Sequence, residues 1–426
     1  MRLTLFAAIA LCLCAGAVCA QTPPGRRAWV EMTGQGAEAR LVTDAAACPQ
    51  ITIDGRDVPM QLRAGPSAAF PVTLCRAPLP AGARQAAIGA LVLPIPAAAP
   101  NRILIFGDTG CRLKGAAIQD CNDARAWPFA LVSRRAAAMK PDLIIHVGDY
   151  YYRESPCPAG DARCAGSPHG DTWASWDAEF FTPTGPLLDV APWVFVRGNH
   201  ESCGRGGAGW FRLLDAASEP LACPASSAAF KVAVGDLNLY VVDGADADDR
   251  GPSAPGVAAF SEQLDSLGAD LAKGRGWILT HRPIWGLVPA VNLGPLGGVQ
   301  IPINETEQAA VRGRDLGGVQ MVVSGHIHHF ASYDFGGDRP AQLIAGTGGD
   351  LPDSGDSRRP RDAPTAIDGL DARGFAFAQY GYFLLDRAGE DWTGAFRDLD
   401  DHMVATCRLH DRALTCGRVK AVKPPG

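Results

Sequence analysis

The chain has 426 residues, 47% of them hydrophobic and 20% charged, with a formal charge of −6. That length exceeds one comfortable core, so a large domain and a smaller one are expected, and the composition excludes a disordered chain. The acidic balance offers no basic field for nucleic acid as a standing partner. Small anionic substrates stay open, because bound cations can dominate a local potential.

Met1 to Ala20 hold one arginine, a continuous apolar stretch and a small-residue end at Val18-Cys19-Ala20. Residues 1–20 therefore read as an export signal cleaved before Gln21, which takes the charge to −7 (38 basic against 45 acidic residues). The stretch is short for a membrane span and no second one follows, so no transmembrane segment is expected. Ten cysteines remain beyond it, in close sequential pairs: Cys48 with Cys75, Cys111 with Cys121, Cys157 with Cys164, Cys203 with Cys223, Cys407 with Cys416. Even number and local pairing suit disulfides in an oxidising compartment, periplasmic or extracellular.

Residues 21–98 carry short β-type runs (Ala28 to Met32, Ala39 to Val42, Gln50 to Ile53, Phe70 to Leu74) broken by Gly and Pro. They are expected to form a small β-sandwich-like domain, followed by a Pro-rich linker. Residues 101–426 change to strand–loop–helix alternation, the texture of an α/β catalytic domain. Helical patterns cover Ala124 to Lys140, Thr172 to Phe181, Ala259 to Lys273 and Glu305 to Arg314. Tyr380 to Val419 return to strands, with a hairpin closed by Cys407 and Cys416. Gly244 to Gly256 and Gly348 to Ala363 read as mobile loops. The acidic cluster Asp243, Asp246, Asp248 and Asp249 does not fit the helix–loop–helix calcium spacing and is assigned to a solvated loop.

Five short motifs carry the chemistry: Gly107-Asp108-Thr109-Gly110, Gly148-Asp149-Tyr150-Tyr151-Tyr152, Gly198-Asn199-His200-Glu201, Thr280-His281 and Gly325-His326-Ile327-His328. Each comes at or just beyond the end of a short apolar run, where open α/β sheets gather their sites. A lone Gly-Asp pair or histidine is usually structural, and only the series carries weight. Carboxylates bridge two ions well, imidazoles terminate them, and the lack of cysteine in the motifs disfavours a thiolate zinc site.

In order and spacing the series resembles the metallophosphoesterase superfamily, and within it the purple acid phosphatases, over about half of the chain. The resemblance implies a four-layer αββα sandwich with a small N-terminal all-β domain. It implies two metal ions: Fe(III) held by Asp108, Tyr152 and His328; a second ion, Fe(II), Zn or Mn, held by Asn199, His281 and His326; and Asp149 bridging them. Most relatives place a histidine two residues after the first aspartate. Here that position is Gly110, and Tyr152 stands where the subfamily's phenolate sits, a hard donor suited to Fe(III). His200 is expected to contact the phosphate or protonate the leaving group, and Glu201 to orient His200. The expected activity is hydrolysis of a small phosphate monoester. Phosphodiesterase or nucleotidase action on the same site stays open, as does a non-catalytic metal-binding protein, although the latter would not need His200. His146, His169, Arg282 and His329 are weaker candidates, each with a structural role as the simpler reading.

Overall fold

The structure, a computed structural model, describes residues 27–219, 222–292, 298–353 and 361–419. The expected export signal lies outside them. Two large sheets face each other. The first has eleven strands, in the order Ala413–Arg418, Met403–His410, Asp391–Arg397, Tyr382–Ala388, Arg102–Phe106, Leu143–His146, Trp193–Phe195, Arg27–Thr33, Gly36–Thr43, Thr73–Pro78, Gln61–Ala64. The second has eight, in the order Phe230–Val234, Leu237–Val241, Gly276–Leu279, Val319–Ser324, Ala341–Ala345, Phe330–Asp334, Leu370–Phe377, Arg361–Ile367.

The central strands are parallel and mostly apolar because both of their faces are buried. Ile103, Ile105, Leu143 and Ile145 meet Leu239, Trp277, Met321 and Leu343 between the sheets. The alternate residues Leu104, Phe106 and Ile144 pack outward on Phe129 and Val132 of the helix Phe129–Ala138. On the far side, Ile278 and Val322 pack on Phe260 and Leu264 of the helix Ala254–Leu267. The layers are therefore α, β, β, α, as expected. The first of these helices begins later than the sequence pattern suggests. Asp123 accepts the N–H groups of Arg125 and Ala126 in a turn, and the helix starts only after Pro128. The second begins earlier, at a Ser253 cap on the Gly256 N–H.

The N-terminal strands do not stand apart. Arg27–Thr33 pairs in parallel with Trp193–Phe195 through Glu31 and Trp193, so four N-terminal strands extend the first sheet. A separate four-stranded sheet (Arg56–Pro59, Gln50–Ile53, Ala86–Ile88, Leu91–Leu93) covers this extension, with Val30 and Leu41 packed on Ile51, Ile88 and Leu93. Two arginines fasten the extension to the rest. Arg40, wholly buried between Glu31 (2.7 Å) and Glu38 (2.8 Å), donates to the carbonyls of Leu213 and Asp215. Arg63 donates to those of Phe211, Arg212 and Asp215. These carbonyls end the helix Gly207–Leu213, where a cation satisfies both the orphan acceptors and the helix dipole.

All five expected cysteine pairs are bonded, and Cys407–Cys416 joins the last two strands. Among the described residues no helix is long and apolar enough to cross a membrane.

Candidate metal centre

All five motifs reach one place, between the C-terminal ends of the parallel strands of the two sheets. The Asp108, Asp149 and His326 backbones are left-handed (φ 57°, 59° and 69°), a conformation that costs a non-glycine residue about 1–3 kcal/mol and concentrates at functional sites. The turns aim the side chains inward. Tyr152 Oη lies 3.3 Å from Asp108 Oδ1, 3.0 Å from Asp149 Oδ2 and 3.1 Å from His328 Nε2. Asn199 Oδ1 lies 3.0 Å from His281 Nε2 and 2.8 Å from His326 Nδ1, and His281 Nε2 is 3.2 Å from Asp149 Oδ2. One donor atom each from Asp149, His281 and His326 falls within 4.8 Å of the others. Asp149 thus belongs to both groups. The two clusters are also joined by backbone, since the His326 N–H donates to the Asp108 carboxylate.

Gly110 is explained by its neighbours. A Cβ there would collide with the Tyr152 ring, Glu179 Oε1 and the Tyr150 carbonyl. A side chain at 110 and the buried phenol at 152 exclude each other. Gly198 and Gly325 likewise leave room for the Asp149 and Asp108 carboxylates.

The electrostatics suit cations. Despite the opposing effect of burial, Asp149 and Asp108 push His281 up to about 9, and Asp350 and Asp108 push His328 up to about 10. Geometry agrees: each ring has acceptors at both nitrogens, His281 facing Val147 O (2.7 Å) across from Asn199, His328 facing Leu351 O (2.9 Å) across from Tyr152. Burial, with Asp149 and Asp108 beside it, holds the Tyr152 hydroxyl well above its ordinary range, so the phenol ionises only beside a strong cation. Carboxylates, imidazoles, an amide and a phenol converging on two adjoining points fit a pair of hard or borderline ions. The donor set fits the ions expected from the sequence.

Glu201 does something other than expected. Its hydrogen bonds do not go to the His200 ring. Its carboxylate accepts the N–H groups of Asp149 (3.1 Å), Tyr150 (2.9 Å), Tyr151 (3.0 Å) and Gly198 (3.0 Å), so it clamps the loop that carries Asp149. The next stretch belongs to Glu179, which accepts from Tyr152 (2.9 Å), Arg153 (3.3 Å) and Cys111 (2.7 Å). Burial pushes both carboxyls up to about 8. His200 is oriented instead by the Tyr151 carbonyl (2.9 Å) and by Glu154 (3.2 Å), both at Nδ1. Those acceptors place the proton on Nδ1 and leave Nε2 facing the centre, 3.8 Å from Asp149.

Sequence reasoning missed three carboxylates that repeat one arrangement. Glu154 stands on His200, Asp249 on His326 (3.1 Å) and Asp350 on His328 (3.3 Å). Each is paired to an arginine: Arg205 (2.5 Å), Arg282 (2.5 Å) and Arg112 respectively. Arg112 also lies over the Tyr152 ring, 5.1 Å from its centroid. Asp350 had a legible signal, a Gly-Gly-Asp after the apolar strand Ala341–Ala345. Asp249 had none, sitting in the loop assigned to solvent. The weaker candidates resolve simply. His146 is a core residue, bonded to Thr109 Oγ1 and the Gly148 N–H and stacked on Tyr150. His329 is buried facing Asp353 at 3.8 Å, His169 is exposed, and Arg282 is committed to Asp249.

A family model described as calcineurin-like phosphoesterase matches residues 101–330, more than half of the chain. The chain belongs to the calcineurin-like phosphoesterase family. Membership makes it a metal-dependent hydrolase of phosphoesters by class. Two solved structures resemble this phosphoesterase in fold over nearly its whole length. One is purple acid phosphatase PPD1 from seeds of yellow lupin (Lupinus luteus), 13% identical, covering 92% of this chain and 73% of that one at a TM-score of 0.55. The other is PhoD, 14% identical, covering 94% of this chain and 92% of that one at a TM-score of 0.54. No curated protein sequence matches the chain.

Proposed function

We propose that the protein is an exported, binuclear phosphomonoesterase of the purple acid phosphatase type. Asp108, Tyr152 and His328 would hold Fe(III), Asn199, His281 and His326 a second ion (Fe(II), Zn or Mn), and Asp149 would bridge. The observation that carries this reading is the Tyr152 hydroxyl, within 3.3 Å of Asp108, Asp149 and His328, in the space that Gly110 leaves. When bound, the ions would polarise the phosphoryl group and activate the attacking water. The chain's own residues do the rest. His200, its Nδ1 proton fixed by Tyr151 O and Glu154, presents Nε2 to the centre; in its imidazolium form it passes the Nε2 proton to the departing alkoxide and is left neutral with its proton on Nδ1. The Glu201 and Glu179 clamps hold the Asp149–Arg153 backbone still while this occurs. Export is supported by the five disulfides and by the leader-like residues 1–20.

The test is a visible absorption spectrum of the purified, metal-quantified mature protein, together with hydrolysis of mono-aryl and bis-aryl phosphates at equal enzyme concentration. Two ions, one of them iron, a broad visible band lost in Tyr152→Phe, and preference for the monoester are expected. A colourless, active two-metal protein would remove the Fe(III)–tyrosinate assignment. A diester preference would replace the substrate class.

A further inference from the structure

The loop Gly244 to Gly256 does not simply lie in solvent. Its Asp249 carboxylate reaches His326 Nε2 at 3.1 Å, while His326 Nδ1 points the other way, 2.8 Å from Asn199 Oδ1. Asp249 is held at both its side chain and its backbone. Arg282 Nη1 pairs with it at 2.5 Å, and the Asn304 N–H donates to the Asp249 carbonyl at 2.8 Å.

We propose that Asp249 is a positioning residue that selects the tautomer of His326, keeping Nδ1 free to bind the second ion. The inference rests on the binuclear reading above. A carboxylate only accepts, so its contact calls for a proton on Nε2; Asn199 Oδ1, 2.8 Å from Nδ1, also only accepts, and with an ion seated between Nδ1 and that oxygen the one proton of a neutral ring would stay on Nε2 and leave the Nδ1 lone pair to the ion. Arg282 Nη1 also lies 2.9 Å from His326 Nε2 and can only donate. Two donors face each other there, and Asp249 between them makes the contact tolerable. Without Asp249 the guanidinium would donate to Nε2, and the ring proton would move to Nδ1, the atom the ion needs. Arg282 therefore opposes metal binding when alone and supports it through Asp249. Outer hydrogen-bond partners of metal-binding histidines change affinity by about 10–100-fold.

The experiment uses the full mature chain equilibrated with Zn(II) against a competing chelator, with two-dimensional ¹H–¹⁵N spectra of the histidine rings. Asp249→Ala is expected to keep one tight ion and to weaken the other about 10–100-fold, with the His326 proton moved from Nε2 to Nδ1. Asp249→Asn, whose amide oxygen still accepts, should retain most of the second site. Removing the guanidinium as well, in Asp249→Ala/Arg282→Ala, should recover part of what Asp249→Ala loses, which a merely structural role would not. If Asp249→Ala binds both ions as the wild type does, or leaves the tautomer unchanged, the inference is wrong while the binuclear reading stands. A wild-type chain that never holds two ions removes both.

Discussion

The two sheets supply the centre's ligands in different ways. Loops of the first sheet bring Asp108, Asp149, Tyr152 and Asn199, and they are tied down by three disulfides (Cys111–Cys121, Cys157–Cys164, Cys203–Cys223) and by two buried glutamates. Loops of the second sheet bring His281, His326 and His328, and the sequence holds no cysteine between Cys223 and Cys407. Ion pairs hold that side instead: Asp249 with Arg282, Asp350 with Arg112. A clamp made of buried hydrogen bonds and covalent bonds fixes a loop whatever the salt. Ion pairs with one partner open to water weaken as salt rises. The oxygen donors are thus set rigidly, and the imidazoles adjustably.

The largest test of this contrast is Glu201→Ala. It leaves the N–H groups of Asp149, Tyr150, Tyr151 and Gly198 without an acceptor, at about 1–3 kcal/mol each, so a loss of at least about 4 kcal/mol is expected in denaturant unfolding. A loss below about 1 kcal/mol would mean that the first-sheet loops are not rigid for this reason.

Next comes His200→Ala, with turnover lower by about 10²–10⁴-fold and both ions retained. Loss of metal together with activity would place His200 among the ligands and remove it from proton transfer.

The smallest effect is on the second side. Burial pushes the Glu307 carboxyl, which faces Thr280 at 3.4 Å, from the ordinary 4.5 up to about 8. An acid whose folded value is raised stays neutral when folded and ionises when unfolded. Between pH 4.5 and about 8 the unfolded chain therefore binds fewer protons, and stability falls as pH rises through that window. Glu307→Gln should flatten the fall, seen as a smaller difference in melting temperature between pH 5 and pH 8. An unchanged slope would show that the carboxyl is not strained by its surroundings.

What could be read in the sequence follows the same division. Strands buried on both faces give continuous apolar runs, and donors directly after such runs are visible without a fold, as Asp108 and Asp149 are. Gly110 and Tyr152 could be read together because a missing ligand and a substitute lie close in the motifs. Glu179 and Asp249 were invisible, since one is a lone acid in a helical pattern and the other sits in an acidic loop. Their partners lie far along the chain, as with Glu179 and Cys111. The merging of the N-terminal strands with the first sheet was hidden for a related reason: it turns on a single pairing, Glu31 with Trp193, that no local pattern encodes.

That pairing has a consequence in time. The first strand of the described residues, Arg27–Thr33, has its parallel partner at Trp193, and the carbonyls that receive Arg40 and Arg63 lie further on. Leu104, at the middle of the same sheet, has one of its neighbours at Leu384. Pairings so distant in sequence are slow to form, and the sheet's opening strand waits with an unpaired edge until much later segments arrive. A chain ordered in this way gains from being kept from premature edge-to-edge pairing until it is complete.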